Sequence, residues 1–143
     1  MMVSSRGRYA LRAMIDIAEH YTDQYITLKE IAERQEISEK YLESILPALT
    51  KADFLDTLRG KGGGYRLART PESYTVSSIL KLVEGSLAPV ACLERIPIRC
   101  PRANECPTLP MWQKFQKMTD EFFEGISLAD LCKKSRRGRK IFR

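Results

Sequence analysis

The sequence predicts a mainly α-helical protein, a winged helix-turn-helix domain followed by a long C-terminal helix. Three features predict this fold class: two capped helix starts near residues 27 and 38, a glycine-rich hairpin with basic residues at 54–68, and large apolar residues that recur at spacings of 4, 3 and 4 between residues 111 and 122. A chain of 143 residues is long enough for one compact domain with a real core.

The N-terminal segment does not have the pattern of a secretory signal, because Arg8, Arg12 and Asp16 interrupt its apolar positions. No stretch approaches the roughly 18 apolar residues of a membrane span. We therefore expect a cytoplasmic protein with no membrane association. In that compartment thiols stay reduced, and clustered cysteines more often bind metal or sense redox state than form disulfides.

The first three helices are predicted from apolar periodicity and from capping residues. Residues 9–21 carry one apolar stripe of helical spacing. The segment "TLKE" starts the second helix as a capping box between Thr27 and Glu30, and Ser38 is a good N-cap for the third. Ile37 and Leu42 flank that cap as a hydrophobic staple.

Two short helices separated by the four residues "RQEI" match a helix-turn-helix, whose second helix lies in the DNA major groove. Glu36 occupies the turn position that glycine would fill freely, and Pro47 is expected to kink or end the third helix near residues 44–46. The solvent-facing residues predicted to reach base edges and phosphates are Glu39, Lys40, Tyr41, Glu43 and Ser44.

The segment "FLDTLRGKGGGYRLA" predicts a hairpin, with strands at 54–58 and 65–68 joined by a glycine-rich turn. It matches neither glycine motif of nucleotide-binding loops, and no helix follows it, so we interpret it as a wing rather than a phosphate cradle. Arg59, Lys61 and Arg66 are predicted to contact the DNA backbone or to enter a narrow minor groove.

A fourth helix is capped by Thr75 and ends at Gly85. The later apolar repeat forms a seam suited to a partner helix, or alternatively a face that packs on its own domain. The seam residues are Met111, Phe115, Met118 and Phe122. Ser127 is predicted to cap a short closing helix.

The net charge of +6 comes almost entirely from residues 133–143, which carry seven Lys or Arg and no acidic residue. Such a tail has the composition of a disordered arm that attracts a phosphate backbone, or of a solubilising segment. The predicted organisation is a DNA-binding domain at 1–84, a cysteine-containing sensor loop at 85–108, the long and closing helices at 109–132, and the basic tail at 133–143.

Three cysteines, Cys92, Cys100 and Cys106, lie in a proline-containing segment that offers no periodic core face. Four interpretations remain open for them: an iron–sulfur cluster, a zinc site, a redox disulfide, or three unliganded thiols. A single histidine and no prominent pair of carboxylates argue against an enzyme. Cys132, on the apolar side of the closing helix, is expected to be a small buried hydrophobe.

The segments "SSRGRYALRAMIDIA", "TLKEIAERQEISEKYLESILPALTKADFL", "RGKGGGYRLAR" and "YTVSSILKLVEG" together resemble the Rrf2 (Rrf-two) family of bacterial winged-helix transcription regulators. The resemblance covers residues 1–132. The family contains both cluster-binding members of the IscR and NsrR type and cluster-free members of the CymR kind. It implies a homodimer that pairs through the long helix and reads a two-fold-related site on double-stranded DNA.

The resemblance also implies roles for single residues. Glu43 would tune which DNA sites are accepted, Arg59 would enter the minor groove, and Ser38 and Tyr41 would contact phosphates or base edges. We expect Arg8, Lys40, Lys61 and Arg66 to belong to the same interface.

By the same resemblance, Cys92, Cys100 and Cys106 would ligate a [2Fe–2S] or [4Fe–4S] cluster that controls DNA binding. Leu109 stands where IscR-type members have a histidine, so Glu94, Glu105 or an exogenous ligand could complete the site. The alternative is a cluster-free regulator controlled by a protein partner or by thiol oxidation.

Overall fold

The computed structural model describes residues 3–20 and 24–132, and the basic tail predicted at 133–143 lies outside them. The predicted fold class is confirmed: helices dominate, and the one sheet has two strands. The elements are α1 (Ser5–Glu19), α2 (Leu28–Gln35), α3 (Glu39–Lys51), β1 (Leu55–Leu58), β2 (Gly64–Leu67), α4 (Val76–Glu84), α5 (Leu109–Glu124) and α6 (Leu128–Leu131).

Helix α1 is the central element, and it packs against α2, α3, α4 and α6. It begins at Ser5, four residues earlier than the apolar stripe predicted, because Ser4 accepts the Gly7 N–H as N-cap. The fully buried Met14 and Ile17 of α1 meet the buried stripe of α3 in one core. No helix of the described residues has the length and apolar composition that crossing a membrane requires.

The predicted helix starts are confirmed. Thr27 and Glu30 form the capping box, in which the Glu30 N–H donates to Thr27 Oγ1 (3.1 Å) and the Thr27 N–H donates to Glu30 Oε2 (2.8 Å). Ser38 Oγ accepts the Tyr41 N–H at 3.1 Å. Glu36 closes α2 at φ 53° and ψ 44°, so this turn keeps the left-handed conformation despite its side chain, at a cost of about 1 kcal/mol.

Pro47 was predicted to kink or end the third helix near residues 44–46; the end is wrong, because α3 continues through Pro47 to Lys51, and the kink stays a prediction. Pro47 lies on the exposed face of α3, and its ring removes one backbone hydrogen bond, the one to the carbonyl of Glu43. The buried side chains of Ile45, Leu46 and Leu49 hold the helix on the core despite this loss.

Strands β1 and β2 form the predicted antiparallel hairpin, with Leu55 opposite Leu67 and Leu58 opposite Gly64. The hairpin is fixed to the start of α2 by a bridge between Ile26 and Tyr65, in which the two N–H groups donate to the opposite carbonyls at 2.8 and 2.7 Å. Sequence reasoning did not find this bridge.

The base of the hairpin is closed by Tyr74, whose ring is fully buried. Its hydroxyl donates to the Phe54 carbonyl (2.7 Å), just before β1, and accepts the Arg69 N–H (3.0 Å), just after β2. One buried phenol therefore satisfies backbone groups on both strands' ends and sets the direction in which the wing leaves the domain.

Residues between α4 and α5 contain only two short 3-10 turns, at Ala91–Leu93 and Ala103–Glu105. Gly85 ends α4 at φ 80°, as the sequence predicted. After α5 the chain returns to the domain, where α6 is capped by Ser127 and the Leu128 N–H donates to the Tyr74 carbonyl at 2.9 Å.

Candidate DNA-binding surface and cysteine loop

Helix α3 presents a mixed polar face, on which Lys40, Glu43 and Ser44 are exposed. Tyr41 departs from the prediction: it is only half exposed, because its ring packs edge-on against Tyr9 of α1 with centroids 5.1 Å apart. Ser38 is exposed, but its hydroxyl already accepts a backbone N–H as the helix cap. The side chains most available to a ligand on this face are therefore Lys40 and Glu43.

Helix α1 holds both helices of the helix-turn-helix, a role that sequence reasoning missed. Arg6 donates from Nη2 to the Ser44 carbonyl (2.9 Å) and from Nη1 to Ser44 Oγ (3.4 Å). Arg12 donates to both oxygens of Gln35, the last residue of α2. Arg8 lies between them, is exposed, and donates to Ser5 Oγ at 3.0 Å.

Asp16 is fully buried on α1 and joins it to the end of α2. Its carboxylate accepts from Arg34 Nη2 (2.8 Å), from Arg34 Nε (3.0 Å) and from Gln35 Nε2 (2.9 Å). These hydrogen bonds raise the pKa of Arg34 above its ordinary value. The signal in the sequence was a carboxylate inside the apolar part of the first helix. The structure explains it by pairing the buried Asp16 carboxylate with the partly exposed guanidinium of Arg34.

The wing places Arg59 and Lys61 at its exposed tip and Arg66 on β2. The Arg66 guanidinium lies 4.6 Å from the centroid of the Tyr25 ring and 3.6 Å from Asp56 Oδ2, so its direction is set by neighbours. The structure therefore separates the three predicted basic residues into two exposed cations at the tip and one held along the strand.

The wing and α3 lie side by side. Burial, and after it the negative charge of Glu43, raises the pKa of the Tyr65 phenol on β2 above its ordinary value. The C-terminal half of α3 and the wing also line one open cleft, with Thr50 and Lys51 on one side and Thr57 and Arg59 on the other. This neighbourhood is what a helix in the major groove and a wing on the flanking backbone require.

The three loop cysteines are free thiols: Cys100 is exposed, while Cys92 and Cys106 are half-buried. Within residues 3–20 and 24–132, the structure brings no three histidine, cysteine, aspartate or glutamate side chains together in a metal-binding arrangement. The cysteines therefore share one loop without converging in this conformation.

The pKa of the Cys106 thiol lies below its ordinary value. The hydrogen bond between its Sγ and Thr108 Oγ1 (3.4 Å) lowers the pKa of the thiol, and the Thr108 backbone and the charge of Arg102 act in the same direction. A lowered thiol pKa favours both metal ligation and reaction with oxidants.

The donor set fits an iron–sulfur cluster by its chemistry, because thiolates are the standard ligands and an irregular loop imposes no helical spacing on them. For a fourth ligand, Glu94 and Glu105 are exposed in the same loop, whereas Leu109 is buried at the start of α5. The ring of His20 is engaged elsewhere, with Nδ1 2.8 Å from the Asp16 carbonyl oxygen.

Helix α5 carries an exposed apolar stripe directly after the cysteine loop. The four residues of the predicted seam are the exposed ones: Met111 (54%), Phe115 (44%), Met118 (59%) and Phe122 (54%). The alternative prediction, in which this seam packs on the chain's own domain, is therefore wrong. The aromatic side chains of α5 that are half-buried are Trp112 and Phe123, on the neighbouring face.

Comparisons with known proteins agree on one family. The family model described as Rrf2, iron-dependent transcriptional regulator, matches residues 3–134. The HTH-type transcriptional regulator IscR of Aliivibrio salmonicida is 36% identical over 131 residues, which cover 92% of this chain and 77% of the relative.

Two solved structures have the same fold. An IscR from T. potens superposes with a TM-score of 0.75 at 34% identity, covering 100% of this chain and 94% of the other. The global cysteine regulator CymR of B. subtilis superposes with a TM-score of 0.73 at 30% identity, covering 92% and 95%. These relatives are transcriptional regulators and not enzymes. The chain therefore belongs to the Rrf2 family and is a DNA-binding transcriptional regulator of the IscR type.

Proposed function

We propose that the protein is a homodimeric regulator whose binding to a two-fold-related DNA operator is controlled by an iron–sulfur cluster on Cys92, Cys100 and Cys106. The observation that supports the proposal is the placement of three unpaired thiols in one irregular loop immediately before the exposed apolar helix α5. The family's description as iron-dependent agrees with iron as the metal.

On the DNA side, α3 would lie in the major groove and the wing on the flanking backbone. Lys40 and Glu43 are exposed enough to reach base edges, Arg59 and Lys61 would enter the minor groove or contact phosphates, and Arg66 would follow the backbone. Ser38, Tyr41 and Arg8 would add phosphate contacts at the edge of this surface.

The cluster, as [2Fe–2S] or [4Fe–4S], supplies redox chemistry and reactivity toward oxygen or nitric oxide when bound. The protein's part is to hold it with three thiolates and to leave the fourth position to Glu94, Glu105 or an exogenous ligand. A weakly held fourth position suits a sensor of redox state, iron, sulfur or nitric oxide better than a permanent structural cluster.

This function divides the chain by task. Residues 1–84 bind DNA, 85–108 hold the cluster, 109–132 pair with the second copy, and the basic tail 133–143 adds sequence-independent attraction to DNA phosphates. A regulator of this kind works in the cytoplasm, where reduced thiols are available for iron.

Iron binding tests the proposal most directly. After anaerobic purification and cluster reconstitution, we expect a brown protein with stoichiometric iron and sulfide, and we expect Cys92→Ala to lose the visible absorption. Cys132→Ala, which removes a thiol from the C-cap of α6, is the matched control and should stay brown. A colourless wild-type protein would reject the cluster while leaving the DNA-binding assignment intact.

Arg59→Ala tests the docking of the wing. We expect specific affinity for a duplex selected from a random-sequence pool to fall by about 1–3 kcal/mol, roughly 5–150-fold, because the exposed cation at the wing tip is lost. The measurement is fluorescence anisotropy at fixed salt. Lys114→Ala, which removes an exposed cation from α5, should bind as the wild type does. Equal affinities of Arg59→Ala and wild type would contradict this docking.

Two observations favour a second candidate function. The three loop thiols do not come together in the described residues, and the chain is similar to CymR, which is named a global cysteine regulator. In that case the protein would be cluster-free, and its DNA binding would respond to a regulatory protein partner or to oxidation of thiols such as Cys106. The colourless outcome above would favour this function.

A further inference from the structure

The N-terminus of α1 is fastened to the end of α4 by one carboxylate. Glu84 Oε1 accepts the Ser4 N–H at 2.9 Å and the Ser4 hydroxyl at 2.7 Å. A Cβ on Gly7 would overlap this carboxylate, so glycine at position 7 makes room for it. The negative charge also lies at the N-terminal end of the helix dipole, which favours it there.

This fastening lies at the boundary of the cysteine loop. Glu84 is the last residue of α4, and Gly85, with φ 80°, begins the loop. Leu87 of the loop is buried in a small apolar cluster that is separate from the main core. Val3 and Leu11 pack against this cluster from the α1 side, and Phe123 packs against it from α5. The loop and α5 are thus connected to the start of α1 by two routes, a polar one through Glu84 and an apolar one through this cluster.

The same turn of α1 also contacts α3, the second helix of the helix-turn-helix and therefore the recognition helix. Arg6, two residues after Ser4, donates to the carbonyl and hydroxyl of Ser44 on α3. One turn further, the Tyr9 ring packs against Tyr41. Ser44 and Tyr41, which these two side chains of α1 contact, are next to Glu43 and Lys40 in the sequence, the exposed side chains of the DNA-binding face.

We propose that Glu84, Ser4 and Arg6 form a relay that couples the cysteine loop to the recognition helix through the first turn of α1. Glu84 and Arg6 are positioning residues in this relay: neither needs to touch the cluster, and Glu84 needs no contact with DNA. The idea that a cluster moves the loop rests on the proposed function. The relay itself rests only on the contacts described above.

The polar fastening suits a two-state element because it lies at the half-exposed rim of the domain, where water can replace it. The core contacts between α1, α3 and α4 are close-packed and offer no such alternative. Making or releasing the Glu84 contacts would therefore give the first turn of α1 two arrangements while the rest of the helix stays packed, and each site biases the equilibrium only through its preference for one of them.

Coupling of this kind is reciprocal, so DNA on the recognition helix must change the state of the loop. The test uses iron-free, reduced full-length protein and measures alkylation of each cysteine by iodoacetamide, resolved by mass spectrometry. The rates are compared with and without a duplex selected from a random-sequence pool. In the wild type we expect the duplex to change the rate of at least one loop cysteine by about fivefold or more.

Two variants break the fastening from opposite sides: Glu84→Ala removes the carboxylate, and Gly7→Ala fills its place. In both, we expect the duplex-dependent change to disappear while the duplex still binds. Glu72→Ala, which removes an exposed carboxylate from the 3-10 turn before α4, should keep the wild-type change. Direct shielding of the thiols by DNA would persist in all variants and would overturn the relay, as would an unresponsive wild type.

The relay and the cluster fail in different ways. A colourless protein whose thiols respond to DNA only when Glu84 is present would reject the cluster and keep the relay. A brown protein whose thiols ignore the Glu84→Ala change would keep the cluster and reject the relay. Should Gly7→Ala unfold, Glu84→Ala alone decides, because its truncation leaves the helix core untouched.

Discussion

Gly64→Ala is expected to destabilise the protein by about 3–5 kcal/mol, because the new methyl group has no space. Gly64 has φ 142°, and a Cβ there would overlap the backbone of Ile26 and approach the Thr27 nitrogen. Relief requires the Ile26–Tyr65 bridge to open, which costs two hydrogen bonds of about 1 kcal/mol each on top of about 1–3 kcal/mol of backbone strain. Urea unfolding followed by circular dichroism measures the change.

Gly62→Ala is the matched control for this prediction. Gly62 also has positive φ, at 77°, but nothing lies within 4 Å of the added Cβ. Only the left-handed backbone then opposes the substitution, so the expected loss of stability is about 1 kcal/mol. Equal losses for the two variants would mean that backbone conformation alone, and not the contact with Ile26, makes glycine necessary at position 64.

This contrast shows what local sequence could and could not predict in the wing. The run of glycines predicted the turn, because turn chemistry depends on neighbouring residues. It did not distinguish Gly62 from Gly64, since the difference depends on Ile26, which is 38 residues earlier in the chain. Pairing between distant backbone segments leaves no local pattern to read.

The recognition helix illustrates the same division. Ser38 and the apolar stripe located α3 correctly, because capping and periodicity act within one turn. Pro47 was assigned too large an effect, since its exposure and the anchoring by neighbouring buried residues depend on tertiary packing. The contacts of Arg6 with Ser44 were likewise invisible, because they join residues 38 apart.

The cysteine loop was located from residue type and spacing, but its ligand geometry was not. Thiol chemistry identifies candidate ligands, and no periodic backbone fixes how Cys92, Cys100 and Cys106 face one another. In the structure they do not converge, so an iron–sulfur cluster would have to select another arrangement of residues 85–108. Loops without regular structure are the segments in which such rearrangement is least costly.

In the proposed function, the exposed stripe of α5 matters because one winged helix would contact only half of a two-fold-related operator. Four large apolar side chains in a row are an unusual solvent-exposed surface, and a second copy of the same helix has the complementary spacing. Pairing through this stripe would also place the two cysteine loops, which immediately precede α5, near the dimer axis. Loss of the stripe should therefore cost dimerisation first and operator binding as a consequence.

Met118→Glu is expected to separate the proposed dimer. Met118 is 59% exposed at the middle of the stripe, and a carboxylate buried there without a partner costs roughly 3–5 kcal/mol, so the dimer dissociation constant should rise at least about 100-fold. Sedimentation velocity measures the mass, and anisotropy measures operator affinity. Gln113→Glu, on the opposite exposed face of α5, adds the same charge and should stay dimeric. If Met118→Glu remains a dimer, pairing occurs elsewhere, because two carboxylates facing each other across this apolar seam could not be accommodated.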